Sequence, residues 1–461
     1  MALSTHVSPG LEEERYRRRT PASERCYLEA RHYLPGGDSR SPLFYPPYPA
    51  IMNRGEGCRL FDLDGNQLLD FTGNHSALAV GYGHPHVLAA VHRQLELGTC
   101  FPGPTEPQVL LARMLSERIG SVDLVRFTSS GTEAVANVIR AARAFTGRPK
   151  VAKVEGGYHG TSDDGLVSTH PTAAEAGDRS RPRSQPSSLG LAPGTLENVV
   201  VIPFNDGAAA ARVIEAEHER LAAVLVEPVL GSAGMIPAER SYLETLREVT
   251  RRLGILLVFD EVVSFRVAYG GAEEHFGVVP DLTILGKVIG GGFPLGAFGG
   301  RQDVMALFDP SGGRPKLPHP GSLNANPVSL AAGIATLELL TTEAIDAINR
   351  RGEWLRGRIR EVFAEAGIAA EITGLGSLLG IHLTRHPVRD YRDTLETDAG
   401  LRHRIFLGLY NEGVLIDPRG VGTISTALGR GELDRFIEAL RAVLGRVDQS
   451  GIIGVSSAPP A

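Results

Sequence analysis

Short apolar runs alternate along the chain with segments whose apolar residues recur at helical spacing. The candidate strands are residues 124–128, 150–154, 199–203, 222–227, 255–260, 282–285 and 295–299. The candidate helices are residues 106–119, 132–145, 207–219, 239–253 and 327–341. Strands of almost continuous apolar character, separated by helices, are typical of a mainly parallel sheet that is covered on both faces. This pattern predicts the α/β fold class.

The segments on either side of this region predict a second, smaller domain. Residues 57–71 have the pattern of a hairpin that turns at Asp64-Gly65-Asn66, and residues 345–447 alternate helical patterns with short strands. The predicted units are a polar arm (1–24), the two parts of a split α+β domain (25–100 and 336–448) and a large domain (101–335). Within the large domain, residues 171–195 are predicted to be a mobile loop. Residues 449–461 are predicted to be a flexible tail.

Composition narrows the class of function. The 461 residues carry a net charge of −6 with a pI near 6.2, which gives no basic footprint for nucleic acid. No apolar run approaches the roughly 20 residues of a membrane span, and the first residues lack the apolar core of a secretory signal. Cys26, Cys58 and Cys100 are widely separated and odd in number, and they show neither the spacing of a metal site nor a disulfide framework. We therefore expect a cytoplasmic protein that binds no metal.

Two polar residues at the ends of predicted strands suggest the chemistry. Lys287 is one of four lysines among 47 basic residues, and it follows an apolar run at a glycine-rich turn. Asp260 ends another apolar run. A lysine amine can form a Schiff base with a carbonyl, and an aspartate can keep a pyridine nitrogen protonated, as pyridoxal phosphate chemistry requires. Taken singly, the two residues would be an ordinary surface lysine and a strand-terminal aspartate.

Three further strand ends carry candidate ligands. Ser130-Gly131-Thr132 precedes a predicted helix, whose unpaired N–H groups and dipole suit a phosphate. The alternative is an ordinary Ser/Thr helix cap. Tyr158 could stack on a planar cofactor, although buried aromatic residues are common at such positions. Glu227 adds a carboxylate at another strand end. Because these ends converge on one edge of a parallel sheet, we expect them to form a cofactor site.

Two long segments, Val258–Ala272 and Pro280–Arg301, resemble the class III (fold-type I) pyridoxal phosphate aminotransferases. Within that class they are most similar to the glutamate-1-semialdehyde aminomutase branch. The resemblance extends from about Tyr33 to Leu444 and is interrupted at residues 171–195. It implies a fold-type I architecture, pyridoxal 5'-phosphate as the cofactor, and an amino acid and a 2-oxo acid as substrates.

The resemblance also implies roles for single residues. Lys287 would bind the cofactor covalently and would move a proton during transfer. Asp260 would pair with the pyridinium nitrogen, Val262 would pack on the ring, and Tyr158 would lie over it.

The phosphate site follows from the same resemblance. Gly131 and Thr132 would bind the phosphate of the cofactor. Ser322 stands where the family has a threonine that binds the phosphate in the partner subunit, and serine keeps the hydroxyl. This match implies a homodimer with shared active sites.

Two arginines bear on the substrate. Arg40 lies in a loop rich in proline and aromatic residues, and a guanidinium beside apolar rings suits a carboxylate next to a hydrophobic group. The alternative is an arginine in a surface loop. The loop resembles that of β-amino acid (β-phenylalanine-type) transaminases, in which the matching arginine holds the substrate carboxylate. Arg419 matches an arginine that receives the carboxylate of the keto-acid acceptor. We therefore expect amino transfer from a β-amino acid, such as an aromatic one, to a 2-oxo acid.

Three alternatives remain at this point. Residues 265–272 and 280–301 resemble the aminomutase more, so a glutamate-1-semialdehyde 2,1-aminomutase-type isomerase is an alternative. Residues 35–45 and Gly73-Asn74-His75-Ser76 depart from the aminomutase pattern, the latter from an expected glycine-serine-tryptophan run. A protein that binds the cofactor without transfer activity is disfavoured by the intact Lys287 and Asp260. A nicotinamide dehydrogenase would need a G-x-G-x-x-G turn after its first strand, which the sequence lacks.

Overall fold

The computed structural model describes residues 10–446, so residues 1–9 of the predicted arm and the predicted tail at 449–461 lie outside it. The strands are β1 (Met52–Glu56), β2 (Arg59–Asp62), β3 (Gln67–Asp70), β4 (Leu124–Thr128), β5 (Lys150–Val154), β6 (Val199–Ile202), β7 (Leu221–Val226), β8 (Val229–Leu230), β9 (Ile236–Pro237), β10 (Leu256–Asp260), β11 (Leu282–Gly286), β12 (Gly296–Gly300), β13 (Glu371–Thr373), β14 (Leu378–His382), β15 (Val414–Leu415) and β16 (Val421–Thr423).

The helices alternate with these strands through the middle of the chain. They are α1 (Leu11–Arg19), α2 (Pro21–Ala30), α3 (Pro85–Leu97), α4 (Glu106–Arg118), α5 (Gly131–Thr146), α6 (Ala173–Ala176), α7 (Thr195–Asn198), α8 (Gly207–Glu217), α9 (Arg240–Leu253), α10 (Gly271–Phe276), α11 (Gln302–Met305), α12 (Pro327–Leu339), α13 (Thr342–Glu365), α14 (Ala399–Asn411) and α15 (Arg430–Leu444). Within residues 10–446 no single helix is long and apolar enough to cross a membrane; α12 and α13, bent by 76° at their junction, pass that test by length and composition when taken together.

Seven strands form the central sheet in the order β4-β12-β11-β10-β7-β5-β6. Neighbouring strands from β11 to β6 are parallel, whereas β12 runs antiparallel to both β11 and β4. The mainly parallel sheet predicted from the sequence is therefore confirmed. The predicted bounds differ from the observed ones by at most one residue for these strands and two residues for the five predicted helices.

Helices cover both faces of this sheet, and every residue of β7 is buried as a result. Val224 and Val226 pack into an apolar core with residues of α8 and α9. Ala223 and Leu225 pack with α5 in a separate core on the opposite face. Because successive side chains of a strand point to opposite faces, two cores explain the unbroken apolar run in the sequence.

Local chemistry sets the helix ends near the site. Ser130 caps α5, since its Oγ accepts the N–H of Glu133 at 3.2 Å. Gly254 ends α9 with a left-handed φ of 63°. Asn326 caps α12, and Pro327 occupies its first position, where no N–H is needed. The cap at Ser130 matters most, because it places the N-terminus of α5 directly after β4.

The smaller domain is built from both ends of the described chain. β15 joins the sheet of β1, β2 and β3 by pairing parallel with β3, with Val414 opposite Leu69. β13, β14 and β16 form a second sheet. One apolar core contains residues between Tyr16 and Phe71 together with residues between Ile348 and Leu444. The split smaller domain is thus confirmed, whereas the predicted domain boundaries stay predictions.

The predicted N-terminal arm is helical where the structure describes it. Tyr16 on α1 is fully buried, and its hydroxyl donates to the carbonyl of Tyr48 at 2.9 Å. Arg15 pairs with Glu412 at 3.1 Å, just after α14. The arm therefore packs on the smaller domain through one aromatic residue and ion pairs, which its polar sequence did not indicate.

Residues 171–195 lie beside the smaller domain. Thr172 and Glu175 form a capping box at the start of α6. Arg392 donates to the carbonyl of Gly177 at 2.6 Å and pairs with Glu155 at 2.7 Å, directly after β5. These contacts connect the segment to the large domain as well, and its predicted mobility stays a prediction.

Candidate active site

The carboxyl ends of five strands meet at one edge of the central sheet. β4, β5, β7, β10 and β11 all run in the same direction. Asp260 is the last residue of β10, Lys287 follows β11, and Glu227 follows β7. Open α/β sheets bind ligands at this edge. The structure therefore brings together the polar strand ends that the sequence singled out.

Lys287 has a backbone conformation that few lysines adopt, with φ at 50°. A left-handed conformation costs a non-glycine residue about 1–2 kcal/mol, and such strain concentrates at functional sites. Burial lowers the pKa of the Lys287 amine, the carboxylates of Glu227 and Asp260 oppose this shift, and the positive charges of Arg419 and Arg40 add to it. A lowered pKa increases the share of free amine, which is the nucleophilic and basic form.

Asp260 is buried and is held by two donors. Nδ1 of His159 lies 2.8 Å from Oδ2, and the N–H of Val262 donates to Oδ1 at 3.2 Å. Burial lowers the pKa of His159, which favours the neutral ring with its proton on Nδ1. Nε2 of His159 is buried without a hydrogen-bond partner among residues 10–446. The pair fixes the orientation of the Asp260 carboxylate.

Glu227 acts on the backbone of the neighbouring loop. Its Oε1 accepts the N–H of Tyr158 at 2.7 Å, and its Oε2 accepts the N–H of Gly231 at 3.1 Å. Burial and the carboxylate of Asp260 raise the pKa of Glu227 to about 8, although these two hydrogen bonds oppose the shift. The Tyr158 side chain is 41% exposed, so it stands at the surface of the site, where it can cover a planar group. Glu227 therefore positions Tyr158.

The N-terminus of α5 faces Val262. Gly131 and Thr132 are the first residues of α5, so their N–H groups have no partner within the helix. A Cβ atom at Gly131 would lie 3.3 Å from Cγ2 of Val262, so glycine keeps a narrow space open there. Oγ1 of Thr132 accepts the N–H of Thr161 at 3.3 Å. Free N–H groups at a helix N-terminus suit a phosphate.

Lys153 supports the loop after β5 from within the large domain. Its buried Nζ donates to the carbonyl oxygens of Gly157 at 2.8 Å and Val167 at 2.5 Å. Burial lowers the pKa of Lys153 to about 7, and the carboxylate of Glu227 opposes this shift. Gly157 directly precedes Tyr158, so Lys153 fixes the path of the chain on which the aromatic residue lies.

The two predicted substrate arginines lie beside a cavity of about 690 Å³. Arg40 lines the cavity, and its Nη1 donates to Oδ1 of Asn74 at 3.0 Å. Nε and Nη2 of Arg419 each lie 2.9 Å from an oxygen of Asp417, which also lines the cavity. The apolar lining includes Leu43, Leu60, Leu78, Val80, Val87 and Phe293. Both arginines are near enough to Lys287 to contribute to the shift in its pKa.

Ser322 is the predicted residue that lies apart from this group. It is exposed in the turn before α12, and its carbonyl accepts the S–H of Cys100 at 3.6 Å. No hydrogen bond or ion pair within residues 10–446 joins it to Lys287 or Asp260. Its predicted role concerns a partner subunit and stays a prediction.

The residues present fit pyridoxal phosphate. The N-terminus of α5 suits the phosphate, the Asp260 carboxylate suits a protonated ring nitrogen, and the Lys287 amine suits the aldehyde. Val262 and Tyr158 offer surfaces for a flat ring. The space kept open at Gly131 and the buried, unpartnered Nε2 of His159 support this fit.

Sequence reasoning did not identify His159, Lys153, Asn74 or Asp417 as parts of the site. His159 could have been found, because it is adjacent to Tyr158 at the same strand end. Lys153 also carries a signal, as a rare lysine between the apolar residues Ala152 and Val154 of β5. Nothing in the sequence pairs Asn74 with an arginine 34 residues earlier.

Comparison with known proteins gives the family. The family described as Aminotransferase class-III matches residues 44–430. The chain is 40% identical over 434 residues to the β-phenylalanine transaminase of Variovorax paradoxus, covering 93% of this chain and 95% of that protein. It is 39% identical over 425 residues to the glutamate-1-semialdehyde 2,1-aminomutase of Methanothermobacter thermautotrophicus, covering 92% and 98%.

A solved structure agrees in fold. The crystal structure of an ω-transaminase from Sphaerobacter thermophilus is 44% identical, with a TM-score of 0.89 over 92% of this chain and 97% of that one. These matches confirm the predicted fold-type I architecture, the cofactor and the class of enzyme. The chain belongs to the class III aminotransferases and is a pyridoxal phosphate-dependent transaminase.

Proposed function

We propose that this aminotransferase moves the amino group of a β-amino acid, such as one with an aromatic side chain, to a 2-oxo acid. The observation that carries the proposal is the position of Arg40 on the wall of a largely apolar cavity, near the Lys287 amine. A donor carboxylate on Arg40 would leave its hydrophobic part in that cavity and its amino group toward Lys287. The likeness to a β-phenylalanine transaminase supports this assignment.

The same proposal assigns the cofactor contacts. The proposed ligands are Lys287 for the aldehyde carbon, Asp260 for the ring nitrogen, Val262 and Tyr158 for the ring faces, and Ser130, Gly131 and Thr132 for the phosphate. Glu227 supports Tyr158 by accepting the backbone N–H of Tyr158. Ser322 is proposed to reach the phosphate in the partner subunit's site.

The residues of the chain then divide the chemistry. Bound pyridoxal phosphate supplies an electron-accepting ring next to the carbon that carries the amino group. Asp260, oriented by His159, holds a proton on the ring nitrogen. Lys287, once the donor amine has displaced it, is a free amine with a lowered pKa, so it can take the proton from the donor and return it one position away. Arg40 holds the donor carboxylate, and Arg419 receives that of the acceptor.

Single-turnover spectra of the cofactor-loaded enzyme test the donor. The enzyme is mixed separately with 3-amino-3-phenylpropanoate, with glutamate and, in its amino form, with 4-amino-5-oxopentanoate. We expect the β-amino acid to convert the bound cofactor to its amino form rapidly, and 2-oxoglutarate to reverse the change in absorbance. A response to the C5 compound alone, with an isomerised product and no need for an external acceptor, would overturn the proposal.

Replacing Arg40 by alanine tests the carboxylate contact. A charge-assisted hydrogen bond contributes about 1.5–3 kcal/mol, so we expect kcat/KM for the β-amino acid to fall roughly 10- to 150-fold. An amine donor without a carboxylate should be little affected. Arg18→Ala is the matched control, because Arg18 is an exposed arginine whose long contact with Glu14 lies on α1. Equal losses for the two donors would remove Arg40 from the substrate site.

A glutamate-1-semialdehyde 2,1-aminomutase is the second candidate function. One observation favours it, namely that an aminomutase relative matches this chain at 39% identity over 425 residues, almost the same as the transaminase relative. Asn74 and His75 lie in a segment that departs from the aminomutase pattern, and this departure favours the transaminase instead. The need for an external acceptor in the single-turnover experiment separates the two.

We also propose that the enzyme is a homodimer with shared active sites. Leu88, Leu97 and Phe101, on or just after α3, are 42%, 73% and 43% exposed, and Leu323 beside Ser322 is 60% exposed. Apolar side chains of this kind support a subunit interface near the proposed phosphate contact. Sedimentation should give twice the mass of 49.2 kDa, and Ser322→Ala should weaken cofactor binding.

The proposed cytoplasmic location rests on the pattern of cysteines in the sequence.

A further inference from the structure

A left-handed turn lies between the two arginines of the proposed site. Residues Gly73–Ser76 follow β3, and their φ angles are 51, 48, 54 and 76°. L-amino acids adopt this conformation as single residues rather than in succession. Asparagine tolerates it well, whereas the serine needs support from the surrounding structure. Such strain is concentrated where side chains are held for a function.

Buried charges hold the turn in this shape. Asp70 accepts the N–H of Gly73 at 3.1 Å on one side. On the other side, the fully buried Arg266 donates to the carbonyl of Ser76 at 3.2 Å and to that of Ile424. No carboxylate within residues 10–446 forms an ion pair with Arg266, whose partners are two carbonyls and a hydroxyl. A buried cation therefore serves to fix this backbone.

Asn74 holds one corner of the Arg40 guanidinium and leaves one edge free. Its Oδ1 accepts from Nη1 at 3.0 Å. Nε and Nη2 of Arg40 have no hydrogen-bond partner in the described part of the chain. These two N–H groups are parallel and match the two oxygens of a carboxylate. Arg40 thus presents an open fork in a defined position.

Arg419, unlike Arg40, has no free edge formed by Nε and Nη2. Its Nε and Nη2 are both engaged by Asp417 at 2.9 Å, so the edge that could bind a carboxylate is occupied. Nδ1 of His75 lies 3.2 Å from Oδ2 of the same aspartate and donates to it when the proton is on Nδ1. Asp417 is 3% exposed, so its two partners define its position.

We infer that Gly73–Ser76 is a positioning turn that decides which arginine receives the donor carboxylate. Asn74 keeps the free edge of Arg40 available. His75 acts through Asp417 and shares its negative charge, which lets Arg419 leave that aspartate when a 2-oxo acid competes for it. This inference rests on the proposed function, in which Arg40 and Arg419 bind carboxylates. Asn74 and His75 are positioning residues for substrate specificity.

Two glycine substitutions separate side-chain contact from backbone strain. Glycine adopts a positive φ freely, so Asn74→Gly removes the contact with Arg40 while the turn keeps its shape. We expect the KM for 3-amino-3-phenylpropanoate to rise about tenfold with little change in kcat. The KM for 1-phenylethylamine, which has the ring and the amine without the carboxylate, should not change. His75→Gly is the matched control one residue later; it should leave the donor KM unchanged and raise the KM for 2-oxoglutarate.

Arg40→Ala, measured in parallel, distinguishes failure of this inference from failure of the proposed function. A donor KM that rises in Arg40→Ala but not in Asn74→Gly would overturn the inference and leave the proposed function standing. An unchanged donor KM in both Arg40→Ala and Asn74→Gly would show that the donor carboxylate does not bind Arg40. Equal rises in the two glycine variants would show that the turn acts only as a structural unit, against the inference. An unchanged acceptor KM in His75→Gly would overturn the role of His75.

Discussion

Replacing His159 by leucine removes the donor that orients the Asp260 carboxylate. His159 and Asp260 are 2% and 4% exposed, so water cannot replace the lost hydrogen bond without entering the core of the site. Leucine has a similar size and is apolar, so it fills the space and leaves Oδ2 of Asp260 without its partner at 2.8 Å. The N–H of Val262 at 3.2 Å remains as a donor to the other oxygen.

The expected loss follows from the type of hydrogen bond. A bond to a charged group contributes about 1.5–3 kcal/mol, which corresponds to a factor of roughly 10–150 in an equilibrium or rate constant. Because Asp260 is proposed to hold the proton on the ring nitrogen, the loss should appear in kcat/KM and in the affinity for the cofactor. We expect the loss in kcat/KM and the loss in cofactor affinity, taken together, to reach a factor of roughly 10–150.

The assay combines kinetics with a rescue and a control. His159→Asn places an amide N–H close to the position of Nδ1, so it should restore most of kcat/KM, whereas His159→Leu should not. His382→Leu is the matched control, because His382 is likewise buried, at 4% exposed, but bonds to Thr373 and Gly234 in another part of the molecule. It should lower thermal stability and leave kcat/KM of the folded enzyme unchanged.

Two results would refute this reasoning. One is a His159→Leu enzyme whose kcat/KM is within a factor of about 3 of the wild type at saturating cofactor, since the bond would then contribute less than about 0.7 kcal/mol. The other is an equal loss in His159→Leu and His159→Asn, which would mean that ring packing, and not the donor on Nδ1, supports Asp260.

Three further predictions concern other buried or reactive groups. Lys287→Ala should abolish covalent cofactor absorbance and all turnover, whereas Lys316→Ala, which changes an exposed lysine, should do neither. Lys153→Met should lower kcat/KM by loosening the loop after β5, while Lys150→Met, which breaks a pair with Glu217, should have a small effect; equal activities would refute this. Burial lowers the pKa of His382 to about 4 from 6.5, so its contribution to stability is present above pH 6.5 and is lost as the pH falls toward 4. At pH 5 this loss is about 2 kcal/mol, and His382→Gln should show a correspondingly flatter dependence of unfolding free energy on pH between 7.5 and 5.

Much of the fold could be predicted because the central sheet is buried on both faces. An unbroken apolar run such as β7 is distinctive, and its neighbours follow from the alternation with helices. The N-terminal helices were harder to predict, because α1 contributes Tyr16 to the core from a segment of charged residues. The burial of Tyr16 depends on packing against the smaller domain, and no local pattern reveals that packing.

The candidate site divides in the same way. Lys287, Asp260 and Glu227 stand at strand ends, where the topology of a parallel sheet brings them together, so the sequence was sufficient to group them. The contact between His159 and Asp260 depends on how a loop returns over the sheet edge. The contact between Asn74 and Arg40 depends on a left-handed turn that sequence propensity does not predict.

The residues assigned to the cofactor and those assigned to the substrate carboxylates lie on different parts of the protein. This separation affects how the choice of substrate can change. Lys287, Asp260 and the proposed phosphate site lie at strand ends of the large sheet, whereas Arg40, the Gly73–Ser76 turn and Arg419 lie on segments that pack with the smaller domain. Arg266 connects the two, because it lies just after β10 and bonds to the carbonyls of Ser76 and Ile424. Under the proposed function, substitutions on the smaller domain are therefore expected to move the carboxylate contacts without disturbing the groups assigned to the cofactor. A transaminase and an aminomutase match this chain at nearly equal identity, so overall identity does not distinguish the two activities, and the side chains around Arg40 are where the proposed function can be tested.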